Sequence, residues 1–312
     1  MSLRPECSLA FAVTVAGALA SPALGQAPAA GTSIAAAQST AAIPDLSGVW
    51  LHPGLGFGPP LSGPGPVRNK SRLPSGASNF ALVVGDYTNP ILKPEAAEVV
   101  KKHGEISLSG KVFPDPDNMC LQNPLPYLFW NFSVQILQQP ERVTLIYAHD
   151  NDYRYVRMNQ SHPATVVPTI HGDSVGHYEG DTLVIDTVGI KLGPHRMIDR
   201  FGTPYSPALH VVERYRLIDP EATKQALAEA EKEWPRVGGV DPNYKGKGLQ
   251  LAFTVEDPDV FTMPWSATIT YGRHPVQAWD ERSCAENVEH DYQYNYFSDK
   301  DAHLPTADKP DF

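Results

Sequence analysis

The stretch His171 to Thr187, HGDSVGHYEGDTLVIDT, leaves this chain few folds to choose from. Two runs rich in apolar and β-branched residues meet at Glu179-Gly180-Asp181, and a glycine there supplies the positive φ that a tight hairpin needs. The same stretch gathers His171, Asp173, His177 and Asp186. A two-residue turn at Glu179-Gly180 pairs Tyr178 with Asp181 and Asp173 with Asp186. His177, Asp173 and Asp186 then share one face with Val175 and Val184. A three-residue turn moves the pairing by one and sets Asp186 opposite Ser174. The first register gives a carboxylate pair beside an imidazole, the second an isolated Asp. Both stay open at this level.

Period-2 alternation continues on either side. Residues 132–137, 143–149, 153–158, 210–218, 249–255 and 265–271 read as short antiparallel strands separated by turn residues. Thirty prolines and 24 glycines favour loops and short strands over long helices. Two helices are expected, over 94–103 with proline at its start and over about 221–234 with Asp219 as N-cap. The Gly/Pro-rich run 53–76 reads as a lid or a wrap over the sheet. The fold class is all-β and mainly antiparallel, a barrel or sandwich with one or two peripheral helices, in a single domain spanning 44–312.

The first 26 residues look like a secretory signal peptide: Arg4, an apolar run from Leu9 to Ala20, then small residues. An uncleaved anchor is the alternative, although the run is short for a membrane span. Residues 27–43, rich in Ala, Ser and Thr, read as a disordered linker. The expected location is the periplasm or the medium, with no membrane insertion after signal removal. A net charge of −10 argues against nucleic acid as a partner. Cys7 would leave with the signal, and Cys120 and Cys284 in an oxidising compartment are most simply one disulfide. A thiolate nucleophile or metal ligand is the alternative.

The set PDLSGVW, GHYEGDTLVIDTVG, ALHVVERYR, VEDPDVFTMPW and CAEN resembles a family of exported, uncharacterised bacterial proteins, over roughly residues 44 to 290. The resemblance implies an antiparallel, lipocalin-like (calycin) barrel. It also supports the Cys120–Cys284 bridge, since the family pattern has a Cys at both places. It implies no particular activity.

No phosphate loop, dinucleotide fingerprint, GxSxG elbow, HExxH or CxxC pattern is present. The candidate catalytic residues are Glu213 and Asp186, each a carboxylate interrupting an apolar strand face, and Arg157, which extends the face of Tyr153 and Tyr155. A carboxylate on a face lining a barrel is suited to general acid or base work, and an arginine to steadying an oxyanion. The bland alternatives are an ion pair of Glu213 with an arginine such as Arg157, an Asp186 bonded to a neighbouring loop, and an outward Arg157. His162, His177, Asp199 and Tyr155 are candidate substrate contacts near a barrel mouth. The eleven histidines lack HxH or HxxxH spacing, so neither a metal nor another cofactor is assigned.

The expected function is binding of a small hydrophobic, aromatic molecule in a barrel cavity, leaning toward cofactor-free lyase or isomerase chemistry with Glu213 or Asp186 as base. A non-catalytic periplasmic carrier is the main rival. A metal-dependent hydrolase is the third reading, and it needs three His, Asp or Glu side chains converging on one point.

Overall fold

The computed structural model describes residues 43–52, 54, 56–111, 113–130, 133–148, 152–234 and 244–274. The signal-peptide and linker segments therefore lie outside the described residues, as does Cys284, the expected partner of Cys120.

Among the described residues, nine strands close into one barrel in sequence order. They are β1 (Gly48–Leu51), β2 (Ser133–Gln138), β3 (Arg142–Tyr147), β4 (Tyr153–Met158), β5 (Asp173–Glu179), β6 (Thr182–Val188), β7 (His210–Ile218), β8 (Gly248–Glu256) and β9 (Trp265–His274). Two helices, α1 (Pro94–Leu108) and α2 (Pro220–Glu233), are peripheral. Of the two expected architectures the chain takes the barrel and not the sandwich. A ring of strands has as many direction reversals as antiparallel contacts, and that number must be even. Nine strands therefore need a parallel pair to close. The pair is β4–β5, with Arg157 opposite Val175, joined by a crossover through residues 159–172. Every other neighbouring pair is antiparallel.

The central hairpin takes neither expected register. Its two-residue turn is Gly180-Asp181, so Glu179 faces Thr182 and Val175 faces Asp186. Gly180 has φ +62°, which glycine adopts without a steric penalty. Relative to the Glu179-Gly180 turn the pairing shifts by two, and a shift of two preserves the faces. Asp173, His177 and Asp186 therefore still share a face with Val175 and Val184, but Asp173 now lies opposite Val188.

The inward positions are filled with bulky side chains. Trp50, Tyr147, Tyr215, Phe253, Trp265 and Tyr271 are each no more than 2% exposed. One end is plugged by a 3-10 turn, Tyr127–Trp130, all four residues of which are buried. Phe129 and Phe57 both meet Phe253 edge-on, with ring centroids 5.1 Å apart. A small barrel filled by its own side chains is one of the two ways such barrels are stabilised; the other is to enclose a ligand.

Helix α2 starts where its sequence dictates. The Asp219 carboxylate accepts the Ala222 amide at 2.9 Å, and Pro220 occupies the first turn. Its Thr223 and Leu227 face the barrel, and Thr223 Oγ1 accepts the Gly248 amide at 2.7 Å.

Candidate functional site

Inside the barrel, β4 and β7 place opposite charges face to face. Arg154 Nη2 donates to both Glu213 oxygens at 2.9 Å, and the Tyr215 hydroxyl donates to Glu213 Oε2 at 2.9 Å. Glu213 and Arg154 are 0% and 2% exposed. Burial works against the Arg154 charge, but the adjacent Glu213 outweighs it and holds the guanidinium protonated. Burial likewise pushes the Tyr147 phenol up to about 12. Among the described residues, Arg154 Nε and Nη1 find no acceptor, so the cluster is only partly satisfied. The expected Glu213–Arg157 pair is thus a Glu213–Arg154 pair. Both arginines sit on β4, one on each face.

Outside the barrel, a second network runs across β5, β6 and β7. Arg157 Nη2 donates to Asp173 at 2.7 and 2.9 Å. His162, from the crossover, meets Asp173 Oδ1 through Nδ1 at 2.6 Å and Asp186 Oδ1 through Nε2 at 2.9 Å. His210 Nε2 meets the other Asp186 oxygen at 3.0 Å, and its Nδ1 lies 3.7 Å from Glu256. The structure therefore brings Asp186, Arg157 and His162 together, but on the outer surface. Glu213 is on the opposite side of the sheet, which overturns the expectation of one cavity shared by Glu213, Asp186 and Arg157. Inward positions of β6 are Leu183, Ile185 and Thr187; Asp186 alternates with them and points out.

The remaining nominated residues are dispersed. His177 is on the outer face and contacts Glu179 at 3.1 Å. Tyr155 is 52% exposed, with the Arg142 guanidinium 4.8 Å from its ring centre. Asp199 is buried away from any mouth, where its carboxylate accepts the amides of Phe201 and Thr203 at 2.9 and 3.2 Å. Among the described residues, no three His, Cys, Asp or Glu side chains are placed to hold a metal ion.

A carboxylate can only accept, so the bond from His210 Nε2 to Asp186 needs a proton on that nitrogen. The His210 hydrogen bond holds Asp186 below its ordinary 3.8, and the reciprocal bond raises His210 above 6.5. A depressed acid contributes above its unfolded value, and a raised histidine below its own. The Asp186–His210 link is therefore fully formed between about pH 3.8 and 6.5 and weakens as pH rises through the raised His210 value. Hydrogen exchange in β6 and β7 around Asp186 and His210, corrected for intrinsic rates, should be slower at pH 5.5 than at pH 8.5. His210→Ala should remove the difference; an unchanged difference would place its origin elsewhere.

Open volume lies beside the barrel. A cleft of about 530 Å³ separates α2 from the outer side of β8 and β9, with Trp234, Ala226 and Ala230 on one wall and Gln250, Thr268 and Thr270 on the other. That volume falls within the roughly 300–1,000 Å³ typical of small-molecule sites. Gly54, Gly56, Gly58 and Pro59 close one end: a Cβ on Gly54 would stand 2.8 Å from the Trp234 indole, and one on Gly56 would overlap it. Glycine at these positions lets the backbone lie flat against the ring.

No family model, curated protein or solved structure matches this chain. Its chemistry has to be argued from its own residues.

Sequence reasoning missed this cleft. Its walls come from five separated stretches, and Ala226 and Ala230 resemble ordinary helix-forming residues. The available signal was Trp234 at the end of a helix otherwise made of small and charged side chains. Arg154 was missed as well, because YRYVRM puts an arginine on each face of β4 and exposed tyrosines imitate a core.

Proposed function

We propose that this protein binds a small aromatic molecule non-catalytically in the cleft under α2, as a carrier or sensor. The observation that carries this reading is the cleft itself, a volume of ligand size with the Trp234 indole in its wall. Ring stacking and apolar contact favour an aromatic guest there, and the Gln and Thr side chains opposite offer hydrogen bonds that fix orientation. Export, expected from the N-terminal run, would make such a binder a periplasmic or secreted one. What weighs against a lyase or isomerase centred on Glu213 is that both of its oxygens are held by Arg154 and one by Tyr215 as well. A general base needs a free lone pair within reach of a substrate proton.

The test is to fill the cleft. Ala226 is half-buried on α2, and Ala226→Trp should lower affinity for N-phenyl-1-naphthylamine, a neutral aromatic probe, at least about 10-fold while leaving the far-UV spectrum unchanged. Unchanged probe affinity in a folded variant would sink the proposal. No helix among the described residues is long and apolar enough to cross a membrane.

A further inference from the structure

We infer that the cleft under α2 selects aromatic anions, with Arg68 as the residue that receives the carboxylate or sulfonate. The inference rests on the cleft being the binding site and adds the charge of the ligand.

Arg68 lines the cleft, the narrower crevice that shares Gly56, Glu233 and Trp234 with it, and a third concavity bounded by Asp86 and Asn89. It is half-buried, and among the described residues its guanidinium makes no ion pair or hydrogen bond. That sets it apart from neighbouring arginines. Arg72 is bound to Glu233 at 2.5 Å, and Arg200 to Asp117 at 2.5 Å. The acids lining the cleft have partners of their own. Glu233 Oε1 takes Arg72 and the Ser78 hydroxyl, the latter at 2.7 Å, and Glu229 takes Lys232 at 2.5 Å. Arg68 is therefore an available five-donor fork in a cleft of about 530 Å³ that also has the Trp234 indole in its wall. A planar guanidinium matches carboxylate or sulfonate oxygens two at a time, and such charge-assisted bonds are roughly twice as strong as neutral ones. The polar side chains of the opposite wall are amides and hydroxyls, which do not repel an anion.

The comparison of 8-anilinonaphthalene-1-sulfonate with N-phenyl-1-naphthylamine isolates the charge, because the two differ by one sulfonate. Wild type, Arg68→Ala, Arg68→Lys and Ala226→Trp are titrated with both probes at fixed ionic strength. Arg68→Ala should weaken the sulfonate probe by about 10-fold or more and change the neutral probe less than about twofold. Arg68→Lys should recover part of the loss, since it restores a charge without the fork. Equal weakening of both probes by Arg68→Ala, or no weakening of either, overturns the anionic preference even when Ala226→Trp blocks both. Probes indifferent to Ala226→Trp overturn the cleft and this inference together.

Discussion

Replacing Arg154 by methionine is expected to destabilise the folded protein by about 3–5 kcal/mol, because it leaves the Glu213 carboxylate buried without its counter-charge. The size follows from desolvation. Taking a charge out of water costs several kcal/mol, and only the partner's field and hydrogen bonds offset it. Glu213 would retain the Tyr215 hydroxyl alone. Glu213→Gln by itself should also be costly, since Arg154 already has two nitrogens without acceptors and would lose its third contact's charge. The informative variant is the double one. Arg154→Met with Glu213→Gln removes both charges, fills most of the same volume and keeps an acceptor for Tyr215. It should be more stable than either single variant, with a coupling energy of about 1–3 kcal/mol in a urea-denaturation cycle. Additive losses would mean that the two side chains contribute separately and that the pair is not a unit.

The second large effect is expected at Asp199. Complete burial raises its carboxyl from 3.8 to about 6, although the Thr203 hydroxyl and the Thr203 and Phe201 amides partly counter the shift. An acid raised on folding makes the native state bind the extra proton. Stability is then full below about pH 3.8 and declines as pH rises through about 6, by roughly 3 kcal/mol once the group is ionised. Asp199→Asn keeps an oxygen for the two amides and cannot ionise. The Thr203 side chain, which neighbours the carboxylate, would meet an amide in its place. The variant should gain about 1–3 kcal/mol at pH 7.5, with little change at pH 4. Asp115, also raised to about 6 by burial and by neighbouring Asp117, shares this window, so Asp199→Asn should remove part of the pH slope and not all of it. A loss of stability at both pH values would show that the ionised carboxylate is needed for the turn.

These two residues also show what a sequence can disclose. Glu213 was recognisable as a carboxylate on an inward face, because Val211, Tyr215 and Leu217 alternate with it and with nothing polar. Its partner was not, because YRYVRM is apolar and basic on both faces and only closure of the barrel decides which side is in. Asp186 failed for the same reason. The run TLVIDTV is nearly as apolar outside as inside, so Val184 and Val188 made an outer face look like a core. The all-β class, the helices and most strand limits followed from alternation and turn chemistry, which are local; the choice of barrel over sandwich did not. The cleft, the parallel pair and the Asp173–His162–Asp186–His210 chain depend on residues that meet only after the chain has folded.

Ring closure has a consequence for how this chain must be made. β1 takes its neighbours from far along the sequence: Trp50 pairs with Val134 on one side and Arg273 on the other. During synthesis the first strand therefore waits with both edges bare, and the last seam cannot form until β9 has emerged. Contacts of such range are slow to find, and an unpaired strand edge invites pairing with another molecule. A chain ending before residue 265 would expose β1 and β8 together as two permanent edges. Shortened from its C-terminal side by that much, the protein should be recovered as aggregate, whereas the intact barrel offers a second molecule no edge to join.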